Sequence, residues 1–86
     1  MMQVIFERRA FHELKQWAET DPKTVKKIFR LIDDIDSDPF HGLGSPEPLK
    51  HELAGFWSRQ INEKDRLVYE VHSGIIRVAS CKTHYD

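Results

Sequence analysis

The chain has 86 residues, 40% of them apolar and 10% aromatic, with 13 Lys and Arg against 14 Asp and Glu and a formal net charge of -1. That composition excludes a disordered tail, which lacks the apolar mass for a core, and argues against a free-standing binder of naked nucleic acid, which needs excess cations to neutralise phosphates. Residues 1–86 are expected to form a single domain in the cytoplasm: the charges between Met1 and Thr20 leave no apolar run for a signal peptide or membrane span, and Cys81 has no disulfide partner.

Gln3 to Phe6 is a short β-prone run. After it, Ala10, Phe11, Leu14, Trp17 and Ala18 recur at helical spacing and predict a charged helix with one apolar stripe, ending near Thr20. Thr20-Asp21-Pro22 predicts the start of a second helix, with a side-chain oxygen available to cap free amides and a proline where no hydrogen bond is lost. Val25, Ile28, Phe29, Ile32 and Ile35 mark its buried face, and Asp38-Pro39 stops it, because proline disfavours helical geometry in the preceding residue. So tight a connection predicts an antiparallel helix hairpin.

Phe40 to Pro48 contains Gly42, Gly44, Pro46 and Pro48 and reads as an ordered irregular loop. Leu49 to Leu53, Phe56 to Ile61, Arg66 to His72 and Ile75 to Cys81 are β-rich runs separated by Ala54-Gly55, Asn62 to Asp65 and Ser73-Gly74, which predicts an antiparallel meander. A loop of Asn62 to Asp65 and a hairpin turn at Ser73-Gly74 put Leu67, Tyr69, Val71, Ile76 and Val78 on one face, suited to cover the helix stripes. Trp57, Arg59, Arg66, Glu70, Arg77 and Cys81 then share the other, with Glu70 opposite Arg77.

Pro46 and Pro48 flank Glu47, stiffening its backbone and removing two amide donors, which suits either a surface turn or a catalytic carboxylate. Arg59 and Arg66 suit either a solvated sheet face or a phosphate clamp, since guanidinium forks match phosphate oxygens and stay charged; Lys50 and Lys82 add point charges. His84-Tyr85 suits either a frayed end or a proton donor beside an aromatic that stacks on a base. His12, His41, His51, His72 and Cys81 show no ligand spacing, so neither metal nor cofactor is expected, and Gly42-Leu43-Gly44 is no nucleotide fingerprint. Glu, Arg and His together are the groups that cleave RNA without a metal: a base for the 2′-OH, a cation for the phosphorane and an acid for the departing 5′-oxygen. The products of that reaction are a 2′,3′-cyclic phosphate and a 5′-hydroxyl.

The stretch S-P-E-P-L-K-H-E-L-A-G-F-W-S-R-Q-I-N-E-K-D-R-L-V-Y from Ser45 to Tyr69, with W-A-E-T-D-P-K-T-V-K-K-I upstream and A-S-C-K-T-H-Y at the end, resembles the YoeB (Txe/YoeB) toxins of bacterial type II toxin–antitoxin systems, in the RelE/ParE superfamily. The resemblance spans nearly the whole chain. It implies an α+β, RelE-like fold, two N-terminal helices packed on a mostly antiparallel twisted sheet, and a ribosome-dependent endoribonuclease that cuts mRNA in the A site and inhibits translation. By matching motifs it implies Glu47 as general base, Arg66 as phosphate-stabilising cation and His84 as general acid. Arg59, Lys50 and Tyr85 are implied as substrate contacts, with His51 inside the same string. Implied partners are a YefM-like antitoxin that covers the catalytic end, the 70S ribosome with its A-site mRNA, and a second copy in a homodimer; no membrane is implied. Gln60 stands where the family often has a second arginine, Asp65 where it often has histidine, and Asp86 extends past H-Y. The alternative on the same fold is a ParE-like protein that inhibits a partner such as DNA gyrase by binding, for which the Glu, Arg and His set is not needed.

Overall fold

The computed structural model describes residues 1–83. Its elements are β1 (Gln3–Phe6), α1 (Arg8–Thr20), α2 (Pro22–Ser37), β2 (Glu47–Pro48), a 3-10 turn (His51–Leu53), β3 (Trp57–Gln60), β4 (Arg66–His72) and β5 (Ile75–Thr83). The strands form one sheet in the order β1-β5-β4-β3-β2. β2, β3 and β4 each pair antiparallel with the next strand, and β1 joins the far edge parallel to β5, from Gln3 opposite Ile75 to Phe6 opposite Val78. Both helices pack on one face of this mixed, mostly antiparallel sheet, the architecture expected.

Asp21 alone joins the helices. Its N–H closes α1 on the Trp17 carbonyl (2.7 Å) and its own carbonyl accepts the Thr24 amide (2.9 Å). The expected side-chain cap on a backbone amide is not made; Asp21 Oδ2 instead accepts the Thr24 hydroxyl at 2.9 Å. Inward-facing residues on α2 are Ile28, Leu31, Ile32 and Ile35, the i, i+3, i+4, i+7 set. Phe29, expected inside, falls off that stripe and is half exposed, as is Phe11 on α1, and the small Ala18 is exposed. Ile61, Leu67, Tyr69, Ile76, Val78 and Cys81 complete the core from the sheet side.

The corresponding stripe on α1 is Ala10, Glu13, Leu14 and Trp17, so a carboxylate occupies an inward position. The cause lies in β5, which bulges: Val78 pairs with Tyr69, but Ser80 pairs with Val68 and Thr83 with Arg66. In this irregular stretch the amides of Cys81 and Lys82 are taken by Glu13 Oε1 at 2.8 and 3.2 Å, while Trp17 Nε1 donates to the Cys81 carbonyl at 2.8 Å. Arg9 Nε holds the other carboxylate oxygen at 3.1 Å. Glu13→Ala is therefore expected to cost about 2–3 kcal/mol, because two amides lose a charged acceptor whose side chain is largely buried. A lower urea midpoint at unchanged slope checks this, and Glu13→Gln, which keeps one acceptor oxygen, should recover part of the loss.

Two expected placements are corrected. The β3–β4 connection runs from Ile61 to Asp65, one residue longer than expected, because the Ile61 amide leaves the ladder and donates to the Asp65 carbonyl (2.9 Å). Asn62 Oδ1 tightens that turn by accepting the Lys64 and Asp65 amides at 2.8 and 2.6 Å. The pairs become Trp57 with Tyr69, Ser58 with Val68, Arg59 with Leu67 and Gln60 with Arg66. A slip of one residue turns a strand over, so Trp57 and Arg59 face the core and Ser58 joins the face of Arg66. Cys81 also changes face, because the bulge inverts the alternation; burial, and then the Glu13 charge, push its thiol up to about 12, so it stays protonated and serves as packing. Glu70 does lie opposite Arg77, in a 3.4 Å ion pair.

The expected strand Leu49 to Leu53 is replaced by β2, one step earlier, and the 3-10 turn. The Leu49 amide donates to the Phe56 carbonyl (2.9 Å), and His51, at φ 59, turns the chain so that Leu53 and Ala54 bond back to Lys50 and His51. Returning to β3 within so few residues leaves no room for a longer β2. Ser73-Gly74 forms the expected hairpin turn, with φ 52 and 75, the left-handed pair that a two-residue connection requires.

Candidate active site

Three elements converge on the sheet face away from the helices. β2 brings Glu47 opposite Ser58 of β3, and Ser58 opposite Val68 puts it next to Arg66 of β4. Arg66 is anchored along one edge: Nε donates to Ser58 Oγ at 2.9 Å and Nη2 to the Ser45 carbonyl at 3.3 Å. Nη2 also stands 4.0 Å from Glu47 Oε2, with the arginine side chain 19% and the glutamate 66% exposed. Among the described residues, Arg66 Nη1 has no hydrogen-bond partner, and the guanidinium is fixed along its Nε–Nη2 edge. The arrangement is a half-buried cation beside a solvated carboxylate.

A cleft of about 450 Å³ adjoins them, lined by Glu47, Lys50, His51, Leu53 and Ser58 among others. Lys50 and His51 are exposed and reach this cleft because of the 3-10 turn. Glu47, Lys50, His51 and Arg66 are thus gathered at one end of the sheet. A second cleft of about 530 Å³ lies on the other side of Ser45, between Lys27 and Arg30 of α2 and Gln60. Among the described residues, no group of three His, Cys, Asp or Glu side chains is placed to hold a metal ion. His84 and Tyr85 lie outside the described residues. β5 is described as far as Thr83, whose partner across the ladder is Arg66.

Arg59 is elsewhere. Expected as a substrate contact on the open face, it is 0% exposed and its donors are spent inside the protein. Nε donates to Tyr69 Oη (3.2 Å), Nη1 to Asp34 Oδ2 and to the Leu43 carbonyl (3.2 Å), and Nη2 to the carbonyls of Asp38 (2.7 Å) and His41 (3.1 Å). The Tyr69 hydroxyl in turn donates to the Pro39 carbonyl at 2.6 Å. All five N–H bonds of the guanidinium thus have acceptors, four of them on the segment 38–45 or on the helix that leads into it. At Gly42, with φ 126, a Cβ would stand 2.1 Å from Asp34 Oδ2, so only glycine lets the backbone pass there.

The Leu43 amide and then Arg59 hold the Asp34 carboxyl below its ordinary value of 3.8. A depressed folded-state value means that this group contributes stability above the unfolded-state value and loses it as pH falls through the folded one. Asp34→Asn is expected to flatten that acid limb in urea titrations taken below pH 4 and to leave the dependence above pH 6 unchanged. Asp38, lowered chiefly by the Phe40 amide, retains its own contribution.

Ser58, Ser45 and Asp34 are the site residues that sequence reasoning passes over. Ser58 becomes visible only once the register is known, and Ser45 acts through its backbone. Asp34 carries one signal, an acidic residue just ahead of a glycine-rich loop.

Comparison with known proteins places these observations. The family model for the YoeB-like toxin of bacterial type II toxin-antitoxin systems matches residues 6–85. Toxin YoeB of Escherichia coli strain K12 is 48% identical over 84 residues, 98% of this chain and 100% of the relative. The YoeB dimer from Staphylococcus aureus superposes with a TM-score of 0.92 at 44% identity over 98% of each chain. A heterotetrameric YoeB-YefM toxin-antitoxin complex from the same organism gives 0.90 at 43% identity over 99% of each chain.

Proposed function

Because the chain belongs to the YoeB-like toxin family of bacterial type II toxin-antitoxin systems, we propose that it is a ribosome-dependent endoribonuclease that cuts mRNA in the A site and so stops translation. The observation that carries the reading is the Glu47–Arg66 pair: a solvated carboxylate 4.0 Å from a guanidinium that is tied to Ser58 and Ser45 along the same edge. Glu47 takes the 2′-OH proton and the oxygen attacks its own phosphorus. Arg66 presents its open N–H edge to the phosphorane oxygens, where charge builds up. His84 gives its proton to the 5′-oxygen as the P–O bond breaks, leaving a 2′,3′-cyclic phosphate and a 5′-hydroxyl. Pairing of Thr83 with Arg66 supports this role, since His84 follows in the chain at that point.

Lys50 and His51, in the cleft beside Glu47, contact flanking phosphates, and Tyr85 stacks on a base. Arg59 is left out of the contact set, because its donors are already engaged. A net charge of -1 gives no general affinity for RNA, so the ribosome supplies the positioning of the substrate. Residues 1–86 act as one toxin domain, in the cytoplasm where the ribosomes are, and among the described residues no helix is long and apolar enough to cross a membrane. Its relatives' assemblies support a homodimer and a YefM-like antitoxin as partners.

Primer extension on a defined mRNA tests the reading, comparing programmed 70S ribosomes with naked RNA in a purified translation system. Cuts confined to the A-site codon are expected. Equal cutting of naked RNA, or none from folded, antitoxin-free protein, overturns it.

A further inference from the structure

We infer that Arg59 is a positioning residue for the reacting pair: without touching RNA, its buried guanidinium folds the segment 38–45 so that the Ser45 carbonyl and the Glu47 carboxylate meet Arg66. The inference rests on the reading of Glu47 and Arg66 as reacting groups.

Apart from the Phe40 ring on Trp57 and the Tyr69 hydroxyl on the Pro39 carbonyl, the segment folds around Arg59. It carries two glycines, a half-exposed Phe40 and an exposed Leu43, and the carbonyls of Asp38, His41 and Leu43 all turn inward onto Arg59. Asp34 completes the cradle by accepting both the Arg59 Nη1 and the Leu43 amide (2.9 Å). The exit is equally defined. The Gly44 carbonyl accepts the Gln60 amide at 2.6 Å, which pins the loop to β3 one residue beyond Arg59 itself. Ser45 follows at φ 51 and directs its carbonyl to Arg66 Nη2, and Pro46 and Pro48 then restrict the backbone on either side of Glu47. A displacement at Arg59 therefore has few soft torsions in which to dissipate before it reaches Glu47.

Arginine is required by the geometry of this cradle. Three carbonyls, a carboxylate and a phenol oxygen surround one planar group, and a lysine ammonium offers three donors at a single point. Arg59→Lys keeps the charge opposite Asp34 and loosens the loop. In single-turnover cleavage on programmed ribosomes it is expected to lower the maximal rate by about 10²-fold, the order of effect of an ångström-scale misplacement, with the half-saturating toxin concentration unchanged. The loss should shrink in a Glu47→Gln background, where Arg66 alone is left to position. The Arg66 Nε–H resonance in 1H–15N NMR reads the same displacement without ribosomes: in Arg59→Lys it should shift and exchange faster with water, because the Ser45 carbonyl no longer holds the guanidinium against Ser58.

Should Arg59→Lys fail to fold, Asp34→Asn, which removes the charged anchor of Nη1 and leaves the arginine in place, is expected to give the same pattern with a loss of about 10-fold. A wild-type rate in the folded variant overturns the inference, as does an equal loss in the Glu47→Gln background or an unmoved Arg66 Nε–H resonance. If the wild type itself cuts nothing, the functional reading fails, and the Arg66 Nε–H resonance alone still decides whether Arg59 positions the segment against Arg66.

Discussion

Glu47→Gln is expected to lower single-turnover cleavage of ribosome-bound mRNA by about 10²–10⁴-fold, the usual worth of a positioned general base. The amide is isosteric with the carboxylate but cannot accept the 2′-OH proton, and a side chain 66% exposed contributes little to stability. The variant should unfold within about 0.5 kcal/mol of the wild type, so the loss is chemical. Arg66→Ala should cost about 10²–10³-fold, the worth of one preorganised charge stabiliser in a transition state. It should also release Ser58 Oγ and the Ser45 carbonyl, both of which the guanidinium now holds. Primer extension with all three proteins at matched concentration checks both expectations. Wild-type rates in Glu47→Gln would remove the carboxylate from the chemistry and leave the fold as a binding scaffold.

Arg59→Met is expected to be the most destabilising single change on the sheet, costing about 3–5 kcal/mol. Methionine matches the stem of the side chain but leaves the inward carbonyls of Asp38, His41 and Leu43 and the Tyr69 hydroxyl without their donor. Asp34 is 30% exposed and can regain water, so the cost falls mainly on the carbonyls and the Tyr69 hydroxyl that face the buried guanidinium. Small domains hold only about 5–15 kcal/mol in total, and such a loss brings this one close to unfolding at physiological temperature. Urea denaturation checks the magnitude, and faster hydrogen exchange confined first to the amides of the segment 38–45 checks the cause. An unchanged midpoint would mean that the loop is held by its own turns rather than by the arginine.

The helix boundaries and the hairpin turn were legible because they depend on neighbours in the chain. Pro22 and Asp38-Pro39 act within a turn of themselves, and the apolar alternation of Arg66 to His72 matches β4 residue for residue. Even in the helices the reading blurred where apolar residues adjoin: Ile28-Phe29 and Ala10-Phe11 each offer two choices, and only the position of the sheet selected Ile28 and Ala10. Glu13 was illegible for a related reason. Its partners are amides at Cys81 and Lys82, freed by a bulge that nothing local announces.

The candidate site divides along the same line. Glu47 and Arg66 stand in strings specific enough to single them out, and the fold brings them side by side. Arg59 was misplaced because its face depends on whether Ile61 belongs to β3 or to the turn, and that choice is made by a hydrogen bond to Asp65 across the connection. The sequence by itself determined the two helices, the hairpin of β4 and β5, the α+β class, the family and the two charged groups Glu47 and Arg66, since these follow from local periodicity, turn chemistry and long motifs. Only the tertiary structure decided the register, the parallel pairing of β1 with β5 and the burial of Arg59 and Glu13. Each of those is the outcome of competition among distant backbone groups for a limited set of partners, and a one-residue difference in that competition turns a whole strand face over.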